Sequence, residues 1–176
     1  MTIIAYYRQS LLADQLHMND VDDGGDFVSF GEKLHLSNDK RIAFASCGAA
    51  IHKKDLEQVT QWLHALMEEF EKTHKAPDLN DEVKDTYLYG RKFLVMSSNY
   101  CLSLCHYSGT ALLDPDDVAA NGSGKMPFLT AAAAGLDIDK IVPFVATMLG
   151  SVSPQFNRVD QLDLIPFTFL NEETQL

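Results

Sequence analysis

The chain contains 176 residues, of which 46% are hydrophobic and 22% charged, a balance typical of a globular domain that excludes an intrinsically disordered chain. The formal net charge of -11 excludes a general nucleic-acid binder, which needs clustered lysine and arginine for its phosphate contacts. No apolar run approaches the roughly 18 residues of a membrane span, so we expect no membrane association.

The first quarter of the chain has the pattern of short strands separated by turns. The first two strands are joined at Arg8-Gln9-Ser10. Because side chains alternate along a strand, residues 2 and 14 share a face only with a three-residue turn at Arg8-Gln9-Ser10 or a bulge, and we predict this register rather than a two-residue turn. The strands of this region are predicted at 3–7, 11–16, 27–30, 33–36 and 41–47.

The clearest helix is predicted over residues 50–73, with Pro77 just beyond its end. Six apolar side chains recur there at helical spacing, so they define one face that packs against the core. These residues are Val59, Trp62, Leu63, Leu66, Met67 and Phe70.

In the second half, strands are predicted at 92–97, 101–107 and 118–121. A helix follows Gly122-Ser123-Gly124 and ends near Gly135, and another spans 139–151. A last strand is predicted over 162–169, at a sheet edge because Pro166 interrupts it. Strands and helices are segregated, which favours an α+β fold of antiparallel sheets with helices outside, in one domain over residues 1–176.

The three cysteines indicate a reducing compartment. Cys101 and Cys105 lie four residues apart in a strand pattern, which separates them by about 13 Å and prevents a disulfide between them. The N-terminus has no basic segment followed by an apolar stretch, so we expect no signal peptide. Both observations predict a cytoplasmic protein.

The beginning of the chain is a candidate catalytic group. Thr2 follows the initiator methionine, and threonine is small enough for that methionine to be removed. The freed residue would carry a hydroxyl nucleophile beside an α-amino group with a reference pKa of about 7.7–8.0. This amine can accept the hydroxyl proton, so the chemistry needs no histidine.

Four signals follow one another in a fixed order: Thr2, Leu11-Leu12-Ala13-Asp14, Lys33-Leu34, and Asn121-Gly122-Ser123-Gly124 before a helix. Over about residues 2–150, this order resembles the N-terminal nucleophile (Ntn) hydrolases of the proteasome type. It is most similar to the compact proteasome-β-like and heat-shock-protease-like threonine peptidases of bacteria and their phages. The resemblance implies a four-layer αββα sandwich, with two antiparallel sheets between helical layers.

The resemblance also implies a role for each matching residue. Thr2 would be the nucleophile, and its own amine would be the base. Lys33 would supply a fixed positive charge, Asp14 would keep Lys33 charged and oriented, and Ser123 would hydrogen-bond the terminal amine. The oxyanion would be held by backbone N–H groups of Ser46, Cys47 and Gly48.

Two departures from the family pattern leave weakened or lost activity as an alternative. The family usually has glycine in the oxyanion strand, where this chain has Phe44-Ala45-Ser46-Cys47. Its later helix normally ends in glycine followed by an aspartate that orients the threonine amine. The corresponding place here is Gly150-Ser151, and Ser151 can supply a hydrogen bond as an auxiliary residue but no charge.

The resemblance therefore predicts a threonine endopeptidase that hydrolyses peptides or unfolded proteins and needs neither a cofactor nor a metal. It implies a homo-oligomer such as a ring, with an ATP-dependent unfoldase as a partner. The alternative is a catalytically weak or inactive subunit of the same fold that acts as an assembly or interaction scaffold. A third interpretation is an amidase of the same fold that acts on a small amide.

Overall fold

The computed structural model describes residues 3–21, 25–30, 33–150 and 152–169. These residues form a four-stranded sheet, a five-stranded sheet and a separate two-stranded hairpin. The strands are β1 (Ile3–Tyr7), β2 (Ser10–Asp14), β3 (Leu16–Val21), β4 (Gly25–Phe30), β5 (Leu34–Leu36), β6 (Ala43–Gly48), β7 (Arg91–Met96), β8 (Cys101–Cys105), β9 (Gly109–Leu113), β10 (Ala119–Gly122) and β11 (Phe156–Asp160).

Three longer helices and three short helical segments connect these strands. Helix α1 carries the predicted apolar face, of which only Trp62 is not fully buried. The helices are α1 (Leu56–Thr73), α2 (Asp81–Val83), α3 (Lys125–Ala133) and α4 (Ile138–Met148), with a π-helical turn at Lys84–Leu88 after α2 and a 3-10 turn at Gln161–Asp163. No helix in the described ranges combines the length and apolar character that a membrane span requires.

The four-stranded sheet has the order β10-β1-β2-β11, and all its neighbours are antiparallel. Every residue of β1 and β2 is buried, because helices cover one face of this sheet and the second sheet covers the other. The first strand of the chain is therefore internal to the sheet, which fixes the position of the polypeptide from Ile3 onward.

The five-stranded sheet runs β5-β6-β7-β8-β9 and is also antiparallel. One of its faces packs against α1, where Phe44 and Phe93 contact the apolar stripe of that helix. Its other face meets the four-stranded sheet in a core that includes Ala43, Leu94 and Ile4.

Helices α3 and α4 complete the outer layer on the four-stranded sheet. Phe128 of α3 and Ile141 of α4 belong to one buried cluster with Ile3 and Leu12. The order of layers is thus α1, five-stranded sheet, four-stranded sheet, α3 and α4. This arrangement confirms the predicted α+β sandwich of two antiparallel sheets between helices.

The predicted three-residue turn between β1 and β2 is wrong. Tyr7 pairs with Ser10, which leaves the two-residue turn Arg8-Gln9. Both turn residues have positive φ, 50° for Arg8 and 57° for Gln9, as in the primed turns whose twist matches that of a hairpin. Turns of this kind favour Asn-Gly, so the absence of glycine concealed the turn length in the sequence.

The predicted last strand over 162–169 is also wrong. The strand lies earlier, at β11, where it pairs with β2 at the sheet edge. Its residues are only partly buried and mostly polar, so they lack the apolar pattern of an internal strand. The apolar run that follows is buried as single side chains instead, with Leu164 in the core between the sheets and Phe167 against α1.

Three further differences concern elements with weak sequence patterns. Helix α1 begins at Leu56 rather than at residue 50, because residues 53–55 form a turn. Strand β9 was not predicted; it is the edge strand of its sheet, and none of its residues is fully buried. The helical segment from Asp81 to Leu88 was also not predicted, and Leu88 is its single buried residue.

The strained turn gives a stability prediction. We expect Gln9→Gly to raise the free energy of unfolding by about 0.5–1 kcal/mol, because glycine tolerates a positive φ but also adds freedom to the unfolded chain. Gln9→Ala, which removes the side chain and keeps the strain, is the matched control and should not stabilise. Urea unfolding followed by circular dichroism measures both changes, and equal effects of the two substitutions would contradict the explanation.

Candidate active site

The structure brings together two predicted site residues that lie 19 positions apart in the sequence. Asp14 is the last residue of β2, and Lys33 directly precedes β5. The Lys33 Nζ lies 2.8 Å from Asp14 Oδ1, and the two side chains are 5% and 0% exposed. The pair is therefore a buried ion pair that links the two sheets at one end of the sandwich.

The Asp14 carboxylate also holds two backbone groups. The Ile3 N–H donates to Oδ1 at 2.9 Å, and the Ser153 N–H donates to Oδ2 at 3.2 Å. One side chain thus joins the start of β1, the end of β2 and the segment that leads into β11. Thr2 is joined to Ile3 by one peptide bond and itself lies outside the described residues.

The two-residue turn explains how Asp14 reaches the start of β1. Ile4 pairs with Ala13, so the next step of the ladder sets Asp14 opposite Ile3 rather than opposite residue 2. The prediction from the sequence required the side chain of Asp14 to lie on the same face of the sheet as that of residue 2. The carboxylate instead acts at the strand end, where it binds the Ile3 backbone N–H.

Burial controls the electrostatics of the pair. Loss of water lowers the pKa of Lys33 below its ordinary value of 10.5, while the charge and hydrogen bond of Asp14 act in the opposite direction. A buried ammonium without a partner would cost several kcal/mol. The ion pair therefore holds a positive charge in a fixed place beside Ile3.

The three predicted oxyanion donors differ in the direction of their N–H groups. The Ser46 N–H donates to the Lys33 carbonyl oxygen at 3.2 Å, and the Ala49 N–H donates to Gly90 at 2.8 Å. Because backbone groups alternate along a strand, the Cys47 N–H points toward β7 and the Gly48 N–H points to the side of Lys33, past the end of β5. The geometry favours Gly48 among the three.

Only glycine fits at position 48. Its φ is +99°, and a Cβ built there would lie 2.0 Å from the Gly90 carbonyl oxygen. The neighbouring Cys47 is buried, which raises the pKa of its thiol to about 11. This thiol is therefore neutral at physiological pH, which argues against Cys47 as a nucleophile.

The segment Gly122-Ser123-Gly124 lies beside the start of β1. Gly122 is the register partner of Ile3 and has a φ of +98°. A Cβ on Gly124 would lie 3.1 Å from the Ile3 side chain and 3.2 Å from Val145, so this glycine permits close packing of α3. Ser123 stands exposed in the turn between them, at the same end of β1 as the ion pair.

The remaining predicted residue, Ser151, lies outside the described residues. Sequence reasoning missed a residue two positions later, Ser153, which is 3% exposed. Its N–H binds Asp14, and its hydroxyl accepts the Gln155 N–H at 3.0 Å. No sequence signal identifies this contact. It joins residues 139 positions apart, and its donor is a backbone N–H, which every residue type except proline carries.

Solved structures share this fold. Eukaryotic HslV from Trypanosoma brucei superposes with a TM-score of 0.60 at 16% identity, covering 90% of this chain and 97% of that chain. Thiobacillus denitrificans BPH has a TM-score of 0.55 at 14% identity, covering 90% and 95%. Its complex with epoxomicin gives 0.56 at 14%, covering 90% and 96%.

No protein-family model and no curated protein sequence matches the chain. At 14% to 16% identity, these similarities show the fold of the chain. The fold is the sandwich of two antiparallel sheets between helical layers that HslV and BPH share.

The buried pair yields a stability prediction. We expect Asp14→Asn to lower the free energy of unfolding by about 3–5 kcal/mol, because it leaves the buried Lys33 ammonium without its carboxylate. Adding Lys33→Met should restore part of this loss by removing that charge. Urea unfolding of the single and double variants measures the recovery.

The matched control is Glu68→Gln, which neutralises an exposed carboxylate of α1 and should cost less than about 1 kcal/mol. A double variant less stable than Asp14→Asn alone would contradict a charge-based explanation.

Proposed function

We propose that the chain is a threonine endopeptidase that hydrolyses peptide bonds with Thr2 as its N-terminal nucleophile after removal of Met1. One observation carries the proposal: Asp14 binds both the Ile3 N–H and the Lys33 ammonium. A buried cation is thereby fixed beside the residue to which Thr2 is attached. The fold shared with HslV and BPH supports the same activity.

In the proposed reaction, the Thr2 Oγ attacks the carbonyl carbon of the scissile peptide bond. The free α-amino group takes the hydroxyl proton, directly or through a water, and returns it to the leaving amine as the C–N bond breaks; a water then hydrolyses the ester formed with Thr2 and restores the hydroxyl. The Lys33 ammonium favours the deprotonated hydroxyl and the neutral amine by its charge. Asp14 keeps that ammonium charged and in place.

The oxyanion of the tetrahedral intermediate would be bound mainly by the Gly48 N–H. This group lies past the end of β5, on the side of Lys33, whereas the Ser46 N–H is used within the sheet. A backbone donor stabilises developing negative charge whatever the side chains around it are. The non-glycine residues of 44–47 are therefore compatible with activity.

Two serines would orient the terminal amine. Ser123 follows the register partner of Ile3, which sets its hydroxyl at the correct end of β1 for this role. Ser151 precedes the segment that binds Asp14 through Ser153, and it would contribute a hydrogen bond there. Neither serine adds a charge, so Lys33 remains the main electrostatic group of the proposed site.

The proposed substrates are peptides and unfolded proteins, and the proposed mechanism uses no cofactor or metal. By analogy with HslV, whose fold the chain shares, we propose that it works as a homo-oligomeric ring fed by an ATP-dependent unfoldase in the cytoplasm. Epoxomicin, which is present in one BPH structure, is a suitable first inhibitor to test.

Replacement of the nucleophile tests the activity. We expect Thr2→Ala to reduce hydrolysis of fluorogenic peptides by roughly a thousandfold or more, because no other residue carries both the attacking hydroxyl and the base. Thr2→Ser should retain measurable turnover. Thr130→Ala, an exposed change in α3, is the matched control and should behave as wild type. Normal turnover in Thr2→Ala would refute the proposal.

The state of the N-terminus separates the enzyme from the scaffold alternative. Intact-mass measurement of the purified chain should show the loss of one methionine, because Met1 would otherwise bind the catalytic amine in a peptide bond. A threonine-directed electrophile should then add to Thr2 and not to the Thr2→Ala variant. A chain that retains Met1 and resists the electrophile would favour a scaffold subunit of the same fold.

A further inference from the structure

A cavity of about 360 Å³ opens beside the candidate active site, at the ends of β6, β7 and β8. Its volume is within the range of pockets that hold small ligands, and it is large enough for an amino-acid side chain. Its walls combine apolar surface from Leu88 and Tyr107 with charged side chains from β7.

The cavity is contiguous with the groups that the proposed mechanism uses. Gly48, the favoured oxyanion donor, forms part of its wall. Gly122, the register partner of Ile3, also lines it. A peptide whose scissile carbonyl lies at Gly48 would therefore place a neighbouring side chain at this cavity.

The charges that line the cavity are positive, although the chain carries a net charge of -11. Arg91 and Lys92 belong to the wall, and among the residues that the structure describes no aspartate or glutamate does. Among the described residues, no carboxylate lies within 4.0 Å of either cationic group. Asp85 pairs with the ring of His106, another residue of the wall, at 3.0 Å.

Hydrogen bonds hold the Arg91 guanidinium, and the strand register holds the backbone of Lys92, whose side chain is exposed. Arg91 donates from Nε to the Ala49 carbonyl at 3.1 Å and from Nη2 to the Ala50 carbonyl at 3.0 Å, which fixes the guanidinium without neutralising it. Lys92 is the register partner of both Cys47 and Cys105, so its Cα lies between two other lining residues. Burial acts to raise the pKa of both thiols, and the Lys92 charge acts in the opposite direction on each, which agrees with this central position.

The wall offers one further polar group. The His106 Nδ1 is buried and has no hydrogen-bond partner among the described residues, while its other ring nitrogen contacts Asp85. When Nε2–H donates to the Asp85 carboxylate, Nδ1 of the neutral ring is an acceptor, so the positive charge of the wall, and not this nitrogen, would bind an anionic ligand.

We propose that this cavity is a specificity subsite that binds the carboxylate of a glutamate or aspartate near the scissile bond of the substrate, with Lys92 as the principal contact. The proposal rests on the proposed peptidase function, because that function supplies the peptide. The apolar wall would contact the methylene groups of the acidic side chain, while Lys92 would bind its carboxylate.

Peptide binding to the inactive Thr2→Ala chain tests the subsite without requiring turnover. A single glutamate is moved through each position of a labelled neutral hexapeptide, and each peptide is compared with its glutamine twin by fluorescence anisotropy. We expect one position at which glutamate binds about tenfold more tightly than glutamine. That difference should disappear when Lys92→Gln is added, and Lys92→Glu should favour lysine at the same position.

Lys140→Gln, an exposed substitution on α4, removes the same charge elsewhere and should leave the preference unchanged. A difference below twofold at every position, or one that survives Lys92→Gln, would overturn the subsite. Cleavage of the same peptides by the wild-type chain is scored separately. Absence of Thr2-dependent cleavage would defeat the proposed function, whereas binding to Thr2→Ala decides the subsite.

Discussion

The ion pair between Asp14 and Lys33 is the interaction on which the candidate site depends. Taking both charges out of water costs several kcal/mol per ion, and their attraction recovers this only when further hydrogen bonds complete the carboxylate. Asp14 meets this condition, because the N–H groups of Ile3 and Ser153 bind its two oxygens. Apolar residues of similar volume are often as stable as a buried pair. Stability alone therefore explains the presence of this pair poorly, whereas a fixed positive charge beside Ile3 explains it directly.

The parts of the sandwich that hold the surroundings of this charge in place take no part in the proposed reaction. Strand β1 is internal to its sheet and buried on both faces, so the chain is held in place from Ile3 onward. Gly124 lets α3 approach the Ile3 side chain, and this contact fixes the end of β1 from the helical layer. Lys33 arrives from the other sheet. The candidate site therefore lies where both sheets and a helical layer meet.

The segregation of strands and helices predicted the fold class, and the family resemblance carried by the order of motifs implied the contact of Asp14 with Lys33. The turn at Arg8-Gln9 was predicted with the wrong length, since two non-glycine residues adopt positive φ there. Strand β11 was misplaced because an edge strand needs no continuous apolar pattern. The Ser153 contact was beyond sequence reasoning, since it uses a backbone N–H that leaves no trace in residue type.

The proposed reaction uses a backbone group to bind the oxyanion, whereas the proposed selectivity depends on side chains. The proposed oxyanion donor is a backbone group, and the residue that presents it must be glycine because any Cβ at position 48 would collide with the Gly90 carbonyl. The side chains of 44–47 can therefore change without removing the donor. The cavity beside it is different, since its positive charge depends on the side chains of Arg91 and Lys92. In the proposed function, substitution there would alter which peptides bind while the Asp14–Lys33 pair is unchanged, so selectivity could change independently of the reaction.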